Sequence, residues 1–207
     1  MAASLQMPYT ASCNWVNLYY DGEYRGVYLL SEKNTIKSTG VDITDMEDAY
    51  KEQNPSYGTD MQTSSGKNAY GMTYFFTKDL KEPENITGGY LLELNHDKPD
   101  EVSGFITRKG KGMNVKSPEW CGKDAMAYIS EYYQEFEDAV YAQDADGNYT
   151  GYNAQTGKYY YEYCDLNSLV QAYLIQYLSG NSDAFYSSFF FYKDVDGLMY
   201  AGPVWDM

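Results

Sequence analysis

Two aspartates near the end of the chain are of the residue type from which phosphoryl-transfer sites are built. Asn181-Ser182-Asp183 forms a polar loop directly after an apolar helical stretch. The segment SFFFYKDVDGLMYAGPVW follows, turning at Asp196-Gly197, and leads into Asp206. Hairpin strands return to where they started, so this order predicts Asp183 and Asp206 at one end of a sheet. Two nearby carboxylates in an open site can hold a hard cation, and that cation can hold a nucleotide's phosphates. The same residues also fit a plainer reading, in which Asp183 caps a turn and Asp206 is exposed; spacing alone leaves both open.

Other candidate chemistry is weaker. His96, the only histidine, lies in the polar turn LNHDKPD without a Ser or Cys pattern beside it, which excludes a histidine-based triad. DADGN (144–148) begins like a calcium loop, but Tyr149 stands at the glycine position and Gln155 at that of the bidentate Glu, so it reads as a turn. Gly22, Gly26, Gly110 and Gly112 make no phosphate-loop pattern. Cys13, Cys121 and Cys164 have no metal-binding spacing; free buried thiols and a single disulfide both fit.

The elements that must position these residues are legible in the patterning. Residues 15–32 read as a hairpin about Asp21-Gly22, with Gly26 marking a bulge or a close approach. Residues 33–87 read as a polar loop elaboration, with a short helix over 44–53 capped by Thr44 and Glu47. GGYLLELN opens a second strand region, and FITRKGKGMNVKS (105–117) a further hairpin. Ser117-Pro118-Glu119 predicts the start of a long helix over 118–143, with Met126, Ile129, Tyr133, Phe136 and Val140 on its apolar face. Residues 144–163 read as a hairpin insertion, with the tyrosine run 159–163 as strand. A second helix, 165–179, carries the stripe Leu166, Leu169, Val170, Tyr173, Leu174, Tyr177 and Leu178, predicted to face the same sheet. Strands, helix, insertion, helix and hairpin in that order predict an α+β fold of antiparallel hairpins packed with two amphipathic helices.

Composition narrows the function. The chain has 207 residues, with 30 acidic against 15 Lys and Arg, a formal charge of −15. That balance repels phosphate backbones and anionic lipid, which argues against nucleic acid and membrane surfaces as partners. No stretch is apolar enough to span a bilayer. The opening MAASLQMPYT lacks the basic and apolar regions of a secretory signal. Tyrosine is abundant, 25 against 8 Phe and 3 Trp, a bias that also fits an extracellular glycan binder.

Taken in order, VNLYYDGEYRGVYLLSEK, GGYLLELN, NVKSPE, SGNSDAFYSSFFFYKDVDGLMYAGP and VWD resemble the spore-coat-H (CotH) kinase-like family across nearly the whole chain. The resemblance implies an atypical protein-kinase-like fold that uses ATP with Mg or Mn to phosphorylate Ser or Thr of a secreted or surface protein, such as a coat protein. It implies an extracellular or cell-surface location, with carbohydrate contacts through neighbouring domains. By the same resemblance Asp183 is the catalytic residue. Asp206, Asn181 and Ser188 are metal ligands, with Ser188 standing where the family has Asn. Lys116, Glu32 and Glu93 are ATP-binding candidates. The family's second acidic motif continues past Asp206, and its first strands precede residue 1, so the expectation is a single domain fragment lacking both ends. The alternatives are a non-catalytic glycan- or protein-binding module and an inactive pseudokinase fragment.

Overall fold

In the computed structural model, which describes residues 2–96 and 99–205, the apolar runs pair into antiparallel hairpins. Asp21 and Gly22, at φ 50° and 79°, make the tight turn between β1 (Cys13–Tyr20) and β2 (Glu23–Ser31). The expected bulge is present, as a register shift at Leu18/Tyr19 beside Gly26. This hairpin forms a separate two-stranded sheet, exposed along both faces, with Trp15 74% exposed.

The segment expected as a polar loop is more regular than its sequence suggests. It holds α1 (Met46–Gln53) and a hairpin of β3 (Thr63–Lys67) and β4 (Thr73–Thr77). Asp45, not Thr44, caps α1 by accepting the Asp48 N–H at 3.1 Å; the Thr44 N–H is drawn instead to the Asp194 carboxylate at 3.0 Å. The next strands are β5 (Tyr90–Asn95), β6 (Gly104–Ile106) and β7 (Gly112–Ser117). After them come α2 (Lys123–Tyr141), the short ribbon of β8 (Tyr152–Asn153) and β9 (Lys158–Tyr159), and α3 (Leu166–Ser179). The described chain closes on β10 (Ser187–Lys193) and β11 (Met199–Ala201). Seven strands form one antiparallel sheet in the order β11-β10-β5-β7-β6-β4-β3. The fold is mixed α and β, as the patterning predicts.

Gly88 shows why the second strand region opens on a glycine pair. A Cβ there would stand 2.0 Å from the backbone of Asp194, so only glycine lets β5 enter against the end of β10.

One face of the sheet is covered by α2. Met126, Ile129 and Phe136 pack with Leu92, Phe105, Met113 and Phe191. The helix starts later than predicted. Ser117 ends β7, and α2 begins at Lys123 behind Gly122. Its first amides are satisfied from outside the helix: the Asp124 N–H donates to Glu82 at 2.8 Å and the Gly122 N–H to the Tyr50 hydroxyl at 3.0 Å. Tyr50 in turn donates to Glu82, and burial pushes its pKa far up.

The second helix overturns an expectation. Leu166, Val170, Tyr173, Leu174, Tyr177 and Leu178 are exposed, and the buried face is Ser168, Ala172, Ile175 and Gln176. Small residues win because this face lies close to β11: the Ser168 hydroxyl accepts the Ala201 N–H at 2.9 Å and donates to the Asp165 carbonyl at 2.8 Å. The insertion differs as well. The tyrosine run leaves β9 at Tyr159 and turns as a 3-10 helix over Tyr160–Glu162. Of the two readings left open for the cysteines, the structure has all three as free thiols: Cys121 and Cys164 are buried and Cys13 is exposed.

On the sheet's other face a smaller cluster forms from Leu91, Phe190 and Tyr192 with Ile36 and Val41. The segment after β2 lies over this face, and the groove it bounds is where the candidate site is found.

Candidate functional site

Asp183 is fixed by its backbone and open at its side chain. The helix α3 ends at Gly180, and the Asn181 amide bonds back to the Gln176 side chain at 3.0 Å. Asn181 Oδ1 accepts the Asp183 N–H at 3.2 Å, and the Asp183 carbonyl accepts the Tyr186 N–H at 2.8 Å. Buried Ala184 anchors this 3-10 turn (Asp183–Phe185), while Asp183 is exposed. The turn thus fixes the backbone and leaves the carboxylate presented to solvent.

Ser188 lies just beyond. The β10–β5 register shifts between Ser187 and Phe189, leaving Ser188 in a bulge at φ 59°. A non-glycine residue in this left-handed region is uncommon, and such bulges re-aim a side chain.

The final hairpin behaves as its pattern predicts. Phe191 faces Ala201, and the Gly202 N–H donates to the Phe190 carbonyl at 2.8 Å, so the chain runs back towards the start of β10. Trp205 packs against the Leu91–Phe190–Tyr192 cluster. Asp206 lies outside the described residues.

Lys116 and Glu93 form a second grouping. Glu93, two residues from Leu91, shares the face of the smaller cluster, and its carboxylate lies 3.4 Å from Lys116 Nζ. Glu93 is mostly covered, while Lys116 is 44% exposed. Lys116 lines a groove of about 330 Å³ with Lys33, Asn34, Thr35, Lys51 and Glu47. A further hollow of about 200 Å³ continues past Lys33 and Lys116 to Asn114 and Asp100. Lys51 is held by Glu47 at 2.8 Å, and that hydrogen bond, with the carboxylate's charge, raises its pKa. Lys33 and Asn34 escaped the sequence reading. Their one signal is their position at the exit of β2, where the chain turns over the sheet. Asn34 Nδ2 is buried in the groove wall without a hydrogen-bond partner.

Glu32 plays another part. Its carboxylate accepts the Ser12 N–H at 3.0 Å and its own N–H donates to the Ser12 carbonyl at 3.0 Å, which closes the base of the β1–β2 hairpin.

The two groupings stand at successive levels of one strand. Lys116 is level with Leu91 and Leu92 on β5, and Ser187 is paired with Asn95. That separation is roughly 12 Å of strand rise, so Lys116 and the Asp183 turn flank Glu93 from opposite ends.

Among the described residues no three His, Cys, Asp or Glu side chains converge as a metal site. Asp183, Asn181 and Ser188, neighbours along the chain at this turn, carry carboxylate, amide and hydroxyl oxygens, donor types that suit a hard cation. Among the described residues no helix is long and apolar enough to cross a membrane.

A family model described as "CotH kinase protein" matches residues 1–207, the whole chain. No curated protein and no solved structure gives a significant match.

Proposed function

Since the chain belongs to the CotH kinase family, we propose that it is a phosphotransferase domain with an atypical kinase-like fold, moving the γ-phosphoryl group of ATP to Ser or Thr of a secreted or cell-surface protein. The observation that carries this reading is the family match over the entire chain. The exposed Asp183 turn and the groove on the same sheet, where Lys33, Lys51 and Lys116 stand among Asp45, Glu47 and Glu119, support it.

Each residue has a role that follows from its placement. Asp183 orients the acceptor hydroxyl and takes its proton as the phosphoryl group arrives. Asn181 holds Asp183 in position through the 3.2 Å bond to its amide. Lys116 places its ammonium against the nucleotide's phosphates, and Glu93 steers that ammonium through their 3.4 Å contact. Lys33, at the junction of the two hollows, adds positive charge to the same stretch of groove. Asp206, Asn181 and Ser188 are the residues that would hold Mg or Mn, which supplies charge neutralisation to the phosphates when bound.

Incubation with radiolabelled ATP, Mg or Mn and an extracellular protein fraction tests the reading. The expected result is label on Ser or Thr of an acceptor protein. ATP titration of Lys116→Met should show affinity falling roughly tenfold or more, with the thermal midpoint unchanged. No ATP binding and no transfer with either cation would overturn the proposal.

A further inference from the structure

The insertion between α2 and α3 has a composition that packing does not explain. Residues 143–163 contain six tyrosines and no Val, Ile, Leu, Met, Phe or Trp. Only Tyr163 is fully buried, whereas Tyr149, Tyr152, Tyr159 and Tyr161 are exposed at 67%, 38%, 41% and 46%. The exposed rings of the ribbon are nonetheless ordered against each other. Tyr152 and Tyr159 lie 4.9 Å apart between centroids, and Tyr159 and Tyr161 are stacked at 5.3 Å with planes 5° from parallel.

The ribbon is fastened to the domain beneath it. Asn153 Nδ2 donates to the Glu135 carbonyl of α2 at 3.1 Å, and the Tyr132 hydroxyl to the Tyr163 carbonyl at 2.7 Å. The Tyr160 N–H donates to the Gly151 carbonyl at 2.9 Å, closing the ribbon on itself. The Asp144 carboxylate gathers the Asp146 and Asn148 amides, each at 2.9 Å, so the adjoining turn is set as well. Exposed Gln155, Asn148 and Lys158 add side-chain donors and acceptors around the rings. The result is a preorganised aromatic platform with polar groups at its rim, ordered before any ligand arrives.

We propose that this tyrosine ribbon binds a neutral polysaccharide, its free ring faces stacking on sugar rings while the rim bonds their hydroxyls. Three observations select this ligand. A protein interface is anchored by Trp and Arg alongside Tyr, and residues 143–163 contain neither Trp nor Arg. Tyrosine combines a flat apolar face with a hydroxyl at the wet edge, matching a ligand whose ring faces are apolar and whose edges are hydroxylated. The formal charge of −15 opposes acidic polymers and leaves neutral ones unopposed. The site lies on the insertion and shares no residue with the Asp183 turn or the Lys116 groove, so it stands apart from the phosphotransfer reading.

Native affinity electrophoresis tests it, with the whole protein run through gels containing xylan, hydroxyethylcellulose or galactomannan. Wild type should be retarded in at least one gel. Tyr161→Ala and Tyr159→Ala should each weaken that retardation roughly tenfold, with circular dichroism and thermal midpoint checking that the fold is kept. Tyr161→Phe keeps the ring and should retain most of the binding. Asp183→Asn should be retarded like wild type. Migration unaffected by all three polysaccharides, or equal retardation of wild type and both alanine variants, would overturn the proposal.

Discussion

At the scale of single residues, β10 holds a serine in the left-handed region and a buried lysine. Ser188 occupies left-handed space at φ 59°, where Asn is tolerated better than Ser because its short amide side chain can bond locally. Ser188→Asn should therefore raise unfolding stability by up to about 1 kcal/mol, measured by urea denaturation. A loss of stability would show that the serine hydroxyl holds the bulge. Lys193 is buried within β10, donating to the Thr87 carbonyl with its ammonium 4.7 Å from the Tyr132 ring centroid. Burial lowers its pKa to about 8. The unfolded chain then holds a proton between about pH 8 and 10 that the folded chain has lost, so this lysine by itself makes stability rise with pH across that window, opposed by the thiols of Cys121 and Cys164, which burial raises. Towards and above pH 10 the buried tyrosines, raised by burial to about 12 at Tyr128 and higher elsewhere, add to the thiols and make stability fall. Thermal midpoints of wild type and Lys193→Met between about pH 7 and 10 check this: the midpoint of wild type minus that of the variant should increase as pH rises from about 8 to 10. The candidate residues were legible because Asp, Asn and Lys stand at the ends of patterned elements. Asn34 and Lys33 were not, because nothing local marks where a segment will cross a distant sheet face.

The helices differ in what their apolar residues do. In α2 the 3–4 spacing of Met126, Ile129 and Phe136 marks the buried face directly. In α3 the same rule selects the exposed side, because close approach to β11 favours Ala172 and Ser168 over leucine. The contrast is measurable. Ile175→Ala, a truncation within the core, should cost roughly 2–5 kcal/mol. Tyr177→Ser or Leu178→Gln on the exposed face should change stability by less than about 0.5 kcal/mol. Equal losses would mean that the stripe is buried after all. The hairpin β3–β4 was missed for a related reason: Thr63–Lys67 carries Ser, Gly and Lys, and its strand character comes from pairing with Tyr74 and Phe75, not from its own residues. The Asp21-Gly22 hairpin was legible since φ above zero at two successive positions leaves few residue choices.

For the molecule as a whole, a seven-stranded sheet carries α2 on one face and, on the other, a groove lined by Lys33, Lys51 and Lys116 with Asp45, Glu47 and Glu119. The order of hairpins and helices was readable because each carries its own period. The placement of the groove was not, since it depends on the 33–43 segment folding across strands far away in sequence. The central claim is that the Asp183 turn performs phosphotransfer while the groove around Lys116 holds the nucleotide. The most direct measurement compares wild type and Asp183→Asn for ATP affinity and for label transferred to acceptor protein. The account predicts transfer reduced at least roughly 100-fold with ATP affinity within about twofold of wild type. Undiminished transfer by Asp183→Asn would contradict it.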